Sequence, residues 1–183
     1  DGEDGWVPGF SVTASSMKDL FGQHNLYAFG QITFTRGTTS YWAAGGPVTQ
    51  STDGAALFDA DFRLGKGFDT GPGMMTTPYL GAGWHAWDRD LSNAEGPYGY
   101  HEKYSNGYVG AGVLMQVAAA SRLVISGDAL VGATIGANIA GTPNGGADII
   151  PFNAGLGSSM IVKAGVAADY AITDRIHMNA GVD

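Results

Sequence analysis

Along most of this chain, apolar residues alternate with polar residues or glycine, and the 3.6-residue period of a helix is nearly absent. The alternation falls into eight stretches, at 9–17, 25–36, 55–66, 76–88, 106–118, 122–137, 158–171 and 175–183. Most run about nine to thirteen residues, the length and period of a strand crossing a bilayer at a tilt. Short connections at Lys18–His24, Gly67–Gly73, Ala119–Ser121 and Thr173–Asp174 alternate with longer, Gly-rich polar segments at 37–54, 89–105 and 138–157. This pattern predicts an all-β chain: a single domain over 1–183, folded as antiparallel up-and-down hairpins of about eight strands.

Sorting each stretch by parity separates two faces. One reads Leu26, Ala28, Gly30, Ile32, Phe34; then Ala56, Phe58, Ala60, Phe62, Leu64; then Pro78, Leu80, Ala82, Trp84, Ala86. It continues with Val109 to Val117, Leu123 to Ile135, Met160 to Tyr170 and Ile176 to Val182, in steps of two, and carries no charge. The other face carries Asp59, Asp61, Arg63, Tyr79, His85, Tyr108, Gln116, Asp128, Lys163, Asp169, His177 and Asp183, with Gly65, Gly81, Gly83, Gly110, Gly112 and Gly132 among them. A soluble barrel of lipocalin type would bury the apolar face and solvate a Lys-, Glu- and Thr-rich one. A membrane barrel turns the apolar face to lipid and fills a narrow lumen with polar and small side chains. Glycine beside charge fits the second arrangement, and predicts a transmembrane β-barrel.

Composition sharpens this expectation. Only 14% of the 183 residues are charged, against about 25% in an ordinary soluble domain. A net charge of −8 argues against nucleic acid as a partner. The chain has no cysteine, so disulfides and thiolate metal sites are excluded. No run of eighteen apolar residues offers a transmembrane helix. The first residues, DGEDG, suit a chain that follows a removed export leader. Aromatic residues gather near expected strand ends, as Tyr41, Trp42, Phe68, Trp84, Trp87, Tyr98, Tyr100, Tyr104, Tyr108 and Tyr170, and suit interfacial girdles.

The segments TPYLGAGWHAWDR, GYVGAGVLMQVAAASRLVISGDALVGATIG and VKAGVAADYAITDRIHMNAGVD resemble strand–turn–strand units of the OmpA-like and opacity-type outer-membrane barrels. The resemblance covers residues 55–183 well and 9–36 loosely. It implies a cell-envelope protein of the Gram-negative outer membrane, in contact with the lipid bilayer and lipopolysaccharide. Barrels of this group usually end on an aromatic residue, whereas this chain ends Gly181-Val182-Asp183. With the short turns periplasmic, both ends of the chain fall on the outer side. Either 9–17 pairs with 175–183 to close eight strands, or the parent barrel has ten.

The lumen residues Asp59, Asp61, Arg63, His85, Asp128, Lys163, Asp169 and His177 offer a proton or ion path, or a paired plug; buried charges must be paired, which favours the plug. His101, Glu102 and Ser105 hint at a rim hydrolase, but Glu102 points to the opposite face from its neighbours and no orienting acid follows. His24, His85, His101 and His177 lack metal-ligand spacing, and the glycine stretches GPGMM and GTPNGG lack the Lys-Ser/Thr of a phosphate loop. The expectation is therefore a barrel without enzymatic activity, cofactor or metal, with a structural or surface-interaction role. Loops 37–54, 89–105 and 138–157 would meet any extracellular partner. A porin-like channel for ions or small solutes is the main alternative, ahead of a lipid hydrolase or a soluble ligand-binding barrel.

Overall fold

The computed structural model describes residues 2–42, 51–90, 100–143, 150–173 and 176–182, and among them there is no helix. Eleven strand segments follow one another: β1 (Gly2–Trp6), β2 (Gly9–Leu20), β3 (Gln23–Trp42), β4 (Ser51–Lys66), β5 (Phe68–Gly71), β6 (Met74–Asp90), β7 (Tyr100–Ala120), β8 (Leu123–Pro143), β9 (Phe152–Gly157), β10 (Met160–Ala171) and β11 (His177–Val182). Both β1 and β2 pair with β3, both β4 and β5 with β6, and both β9 and β10 with β8. The eleven segments therefore make eight consecutive antiparallel strands, three of them briefly interrupted. One interruption is at Pro8, which has no N–H to donate to a ladder.

The sheet is strongly curled. Four ladders separate β4 from β10, about 19 Å in a flat sheet. Yet Lys163 Nζ on β10 lies 3.2 Å from Asp61 Oδ2 on β4. Only a wall bent around a common interior brings those side chains together. The edges are β2 and β11, and no ladder joins them among the described residues. The direct pairing of 9–17 with 175–183 is thus not formed there, and the eight strands make a half-barrel. Asp183 lies outside the described residues.

Parity sorts the faces as the alternation predicts. Leu80, Val131, Val162 and Phe62 are 70%, 55%, 61% and 55% exposed on the convex side. On the concave side Tyr27, Tyr79, Tyr108 and Leu130 are buried and form the core cluster. The arrangement is inside-out relative to a soluble barrel, which excludes an apolar interior of lipocalin type.

Strands run further than hydropathy suggests. Residues 37–42, 51–54, 89–90, 100–105, 138–143 and 152–157, read as loop from sequence, belong to strands. They are rich in Thr, Ser and Tyr, which favour extended backbone, but neither face is continuously apolar, so alternation could not reveal them. At the other end the connections are tighter than expected. The β2–β3 turn is Phe21-Gly22, both with left-handed φ (53° and 73°), as a two-residue hairpin with matching twist requires. Beside it, Asp19 accepts from the backbone N–H of Asn25 and from His24 Nδ1, at 2.9 and 2.8 Å. The Asn25 bond, then the His24 bond, hold its carboxyl below the ordinary carboxylate range.

One irregularity changes which side chains face inward. Gly136 has φ 61°, and the β7–β8 register shifts so that Gly107 faces Ile135 but Ser105 faces Asn138. Below this bulge the odd residues of β8 point outward. Above it the even residues do, since Glu102 and Gly141 share the inner face. Gly136→Ala should cost about 1–2 kcal/mol, because open space surrounds the position and only the left-handed backbone resists a side chain. Gly136→Asn should cost less, since Asn tolerates this region. Urea midpoints of the three proteins measure the order.

Candidate functional site

The concave wall carries a layer of facing side chains four ladder rows deep. One row aligns Asp61, Gly83 and Tyr108; the next Arg63, Gly81, Gly110 and Gly132; the third Gly65, Tyr79, Gly112, Leu130 and Lys163; the fourth Leu114, Asp128 and Gly165. Large side chains and glycines alternate around the wall for a steric reason. A Cβ on Gly83 would overlap the Tyr108 ring, and one on Gly112 the Tyr79 ring. A Cβ on Gly81 or Gly110 would sit 2.7 or 2.9 Å from a methyl of Leu130.

Within this layer every charge is met. Arg63 Nε donates to Asp61 Oδ1 at 3.1 Å, and its Nη1 to Asp128 Oδ2 at 2.6 Å. Tyr79 Oη donates to Asp128 at 2.8 Å, and Tyr108 Oη to Asp61 at 2.6 Å. Lys163 Nζ donates to Asp61 and to Tyr108 Oη at 3.2 and 3.0 Å. The guanidinium also lies over the rings of Phe29 and Tyr79, at 4.7 and 5.1 Å, and Lys163 lies 4.1 Å from the Tyr108 ring centroid. Two cations and two carboxylates give a neutral group. The Arg63, Asp61 and Asp128 side chains are only 14%, 13% and 18% exposed, so Coulomb attraction here is weakly screened.

Of the eight lumen residues expected from sequence, Asp61, Arg63, Asp128 and Lys163 are brought together. The other four form two separate pairs. His85 Nδ1 lies 2.7 Å from Asp59 Oδ1, one row above the layer, and His177 Nδ1 lies 2.7 Å from Asp169 Oδ1 near the turns. The eight thus fall into three separate groups and not one continuous relay.

Parity places Tyr79 and Tyr108 on this inner face, and both are found there: Tyr108, which its position near a strand end also offered to an interfacial girdle, is buried against Asp61, and Tyr79 supplies the hydroxyl to Asp128. Trp87 and Tyr104 also face inward, stacked at 5.4 Å, where Tyr104 Oη and Arg89 Nη1 both donate to Glu102, at 3.2 and 3.4 Å. Trp84, Phe68 and Tyr170 do face outward. Tyr41, Trp42, Tyr98 and Tyr100 lie outside the residues whose side chains are described. His101 Nε2 contacts Asp88 at 2.9 Å on the outer face, while Glu102 turns inward. Among the described residues no three His, Asp or Glu converge as metal ligands.

No protein-family model matches the chain, and neither a curated protein nor a solved structure matches it.

Two substitutions test the packing of the layer. Gly112→Ala should destabilise by about 1–3 kcal/mol, the usual cost of overpacking, because the added methyl collides with Tyr79. Gly127→Ala on the outer face, where the nearest atom is 3.9 Å away, should change stability by less than about 0.5 kcal/mol. Asp61→Asn should cost on the order of 3–5 kcal/mol by leaving Arg63 and Lys163 short of a counter-charge. Chemical denaturation checks all three.

Proposed function

We propose that this chain is an integral outer-membrane β-barrel of a Gram-negative bacterium, with a plugged lumen and a structural or surface-interaction role. One observation carries the reading: a convex belt without charge, bounded above and below by charged residues. Arg36, Ala56, Asp88 and Lys103 are successive ladder partners across β3, β4, β6 and β7, and mark the upper limit. Lys18, Leu26 and Lys66 are ladder partners across β2, β3 and β4, and mark the lower one. Ten residues of β4 separate the two limits, about 33 Å along the strand. At a tilt of about 40° that is roughly 25 Å of height, the apolar thickness of an outer-membrane barrel.

Aromatic placement supports the same reading. Phe10, Phe34 and Phe58 form one row on β2, β3 and β4, immediately below the Arg36 row, and Trp84 stands one row lower. A protein in water would have no reason to leave such rings exposed. Wall segments above the belt would carry recognition on the outer side, and an OmpA-like affiliation rests on this pattern alone. The polar layer favours a plug over a porin-like channel, since its charges are spent on one another. Among the described residues no group on the inner wall combines a nucleophile with an oriented base, and we read the chain as a non-enzyme.

Carbonate-washed outer membranes should retain the protein, and extraction should require detergent; a monodisperse detergent-free monomer would refute the bilayer reading. Val131→Arg, at mid-belt on β8, should weaken insertion by about 2–4 kcal/mol. Planar-bilayer recordings should show little conductance, whereas a large, stable ohmic current would promote the channel alternative.

A further inference from the structure

The two edges that no ladder joins border one cavity, of about 620 Å³. On one side β2 lines it with Thr13 and Ser15, and on the other β11 lines it with Asn179 and Val182. Inward it reaches Gln31, Gln116 and the bonded Arg63–Asp128 pair, all on the concave wall. Outward it reaches Val166 and Val182, which stand 59% and 77% exposed on the convex face. The cavity is therefore a lateral opening, from the polar interior through the unjoined edges to the outer surface.

A second cavity, of about 490 Å³, lies on that outer surface. Val113 and Met115 of β7 form one bank, Val166 and Val182 the other, and Gly127 and Ala129 of β8 the low floor between them. Val166 and Val182 border both cavities, so polar chamber and apolar groove make one path. Each volume lies within the range of small-molecule sites. A wholly polar solute gains nothing from the groove, and a plain hydrocarbon leaves the chamber's polar wall unanswered. A molecule with one polar head and one acyl chain uses both. The chamber also limits the head. Arg63 and Asp128 bring it one cation and one anion, with no net charge. A zwitterionic head can set its phosphate beside the guanidinium and its ammonium beside the carboxylate, so neither buried charge loses its compensation; an anionic head would answer Arg63 alone.

We propose that this path is a binding site for a zwitterionic single-chain phospholipid, its head in the chamber between β2 and β11 and its acyl chain in the convex groove. The inference rests on the bilayer reading, which places the groove among acyl chains. Lysophosphatidylcholine with a nitroxide on its chain tests it, on wild-type protein with methyl-labelled methionine in nonionic detergent. Equimolar lipid should broaden the methyl signal of Met115, in the groove, at least threefold more than that of Met160, which is exposed on the same face outside it. Palmitate carrying the same label should give a smaller excess. Ala129→Phe and Ala164→Phe, which fill the groove, should abolish the excess, and Ala133→Phe, beyond it on β8, should leave it intact. Heat-modifiable gel mobility reports whether each variant is folded; if neither groove variant folds, the wild-type comparisons decide. No excess at Met115, an equal excess from palmitate, or an unchanged excess in a folded groove variant overturns the proposal. Equal broadening of Met115 and Met160 is what a uniform lipid or detergent shell gives. Retention in carbonate-washed membranes is measured apart from all of these, so the two readings fail separately.

Discussion

A wall that bends enough to bring Lys163 onto Asp61 across four ladders leaves an interior one or two side chains wide. That lack of room governs most of what the structure does. Charges placed in it are largely withdrawn from water, so each must find an opposite charge and a full set of hydrogen bonds. Asp61 meets this demand with three donors: Arg63, Tyr108 and Lys163. The rings that complete the network are bulky, and the facing strands yield with glycine. Glycine and charge share one face because each makes the other tolerable.

The outer surface follows from the inner one. Once polar groups occupy the concave face, strand alternation sends most apolar residues to the convex side, with Leu130, Phe29 and Leu114 left among the inner rings. Backbone groups are paired within the sheet through β3 to β10, leaving the outer strands β2 and β11 as the places where polar backbone still needs a partner.

Much of this was legible in the alternation itself. The eight stretches, the hairpin order and the parity of residues such as Val131 and Asp128 all follow from a period of two. Two things were not. The strand extensions at 37–42 and 138–143 lack an apolar face, so hydropathy gave them no period to detect. Asp61, Arg63, Asp128 and Lys163 were placed on one face, but parity cannot separate them from Asp59–His85 and Asp169–His177, because it carries no information about height along the barrel.

The bulge at Gly136 acts on β8 as a frameshift acts on a message. Below it the strand is read in one phase, with odd residues outward; above it the phase changes, and the same alternation delivers the opposite set of side chains to each side. The lower part of β8 is thereby bound to the chemistry of the belt, and the upper part is released from it. Residues 138–143 therefore answer to a different set of neighbours from the residues below Gly136. A single left-handed glycine makes the wall modular along its length, so that a new upper segment could be grafted onto an old base wherever that one residue is retained.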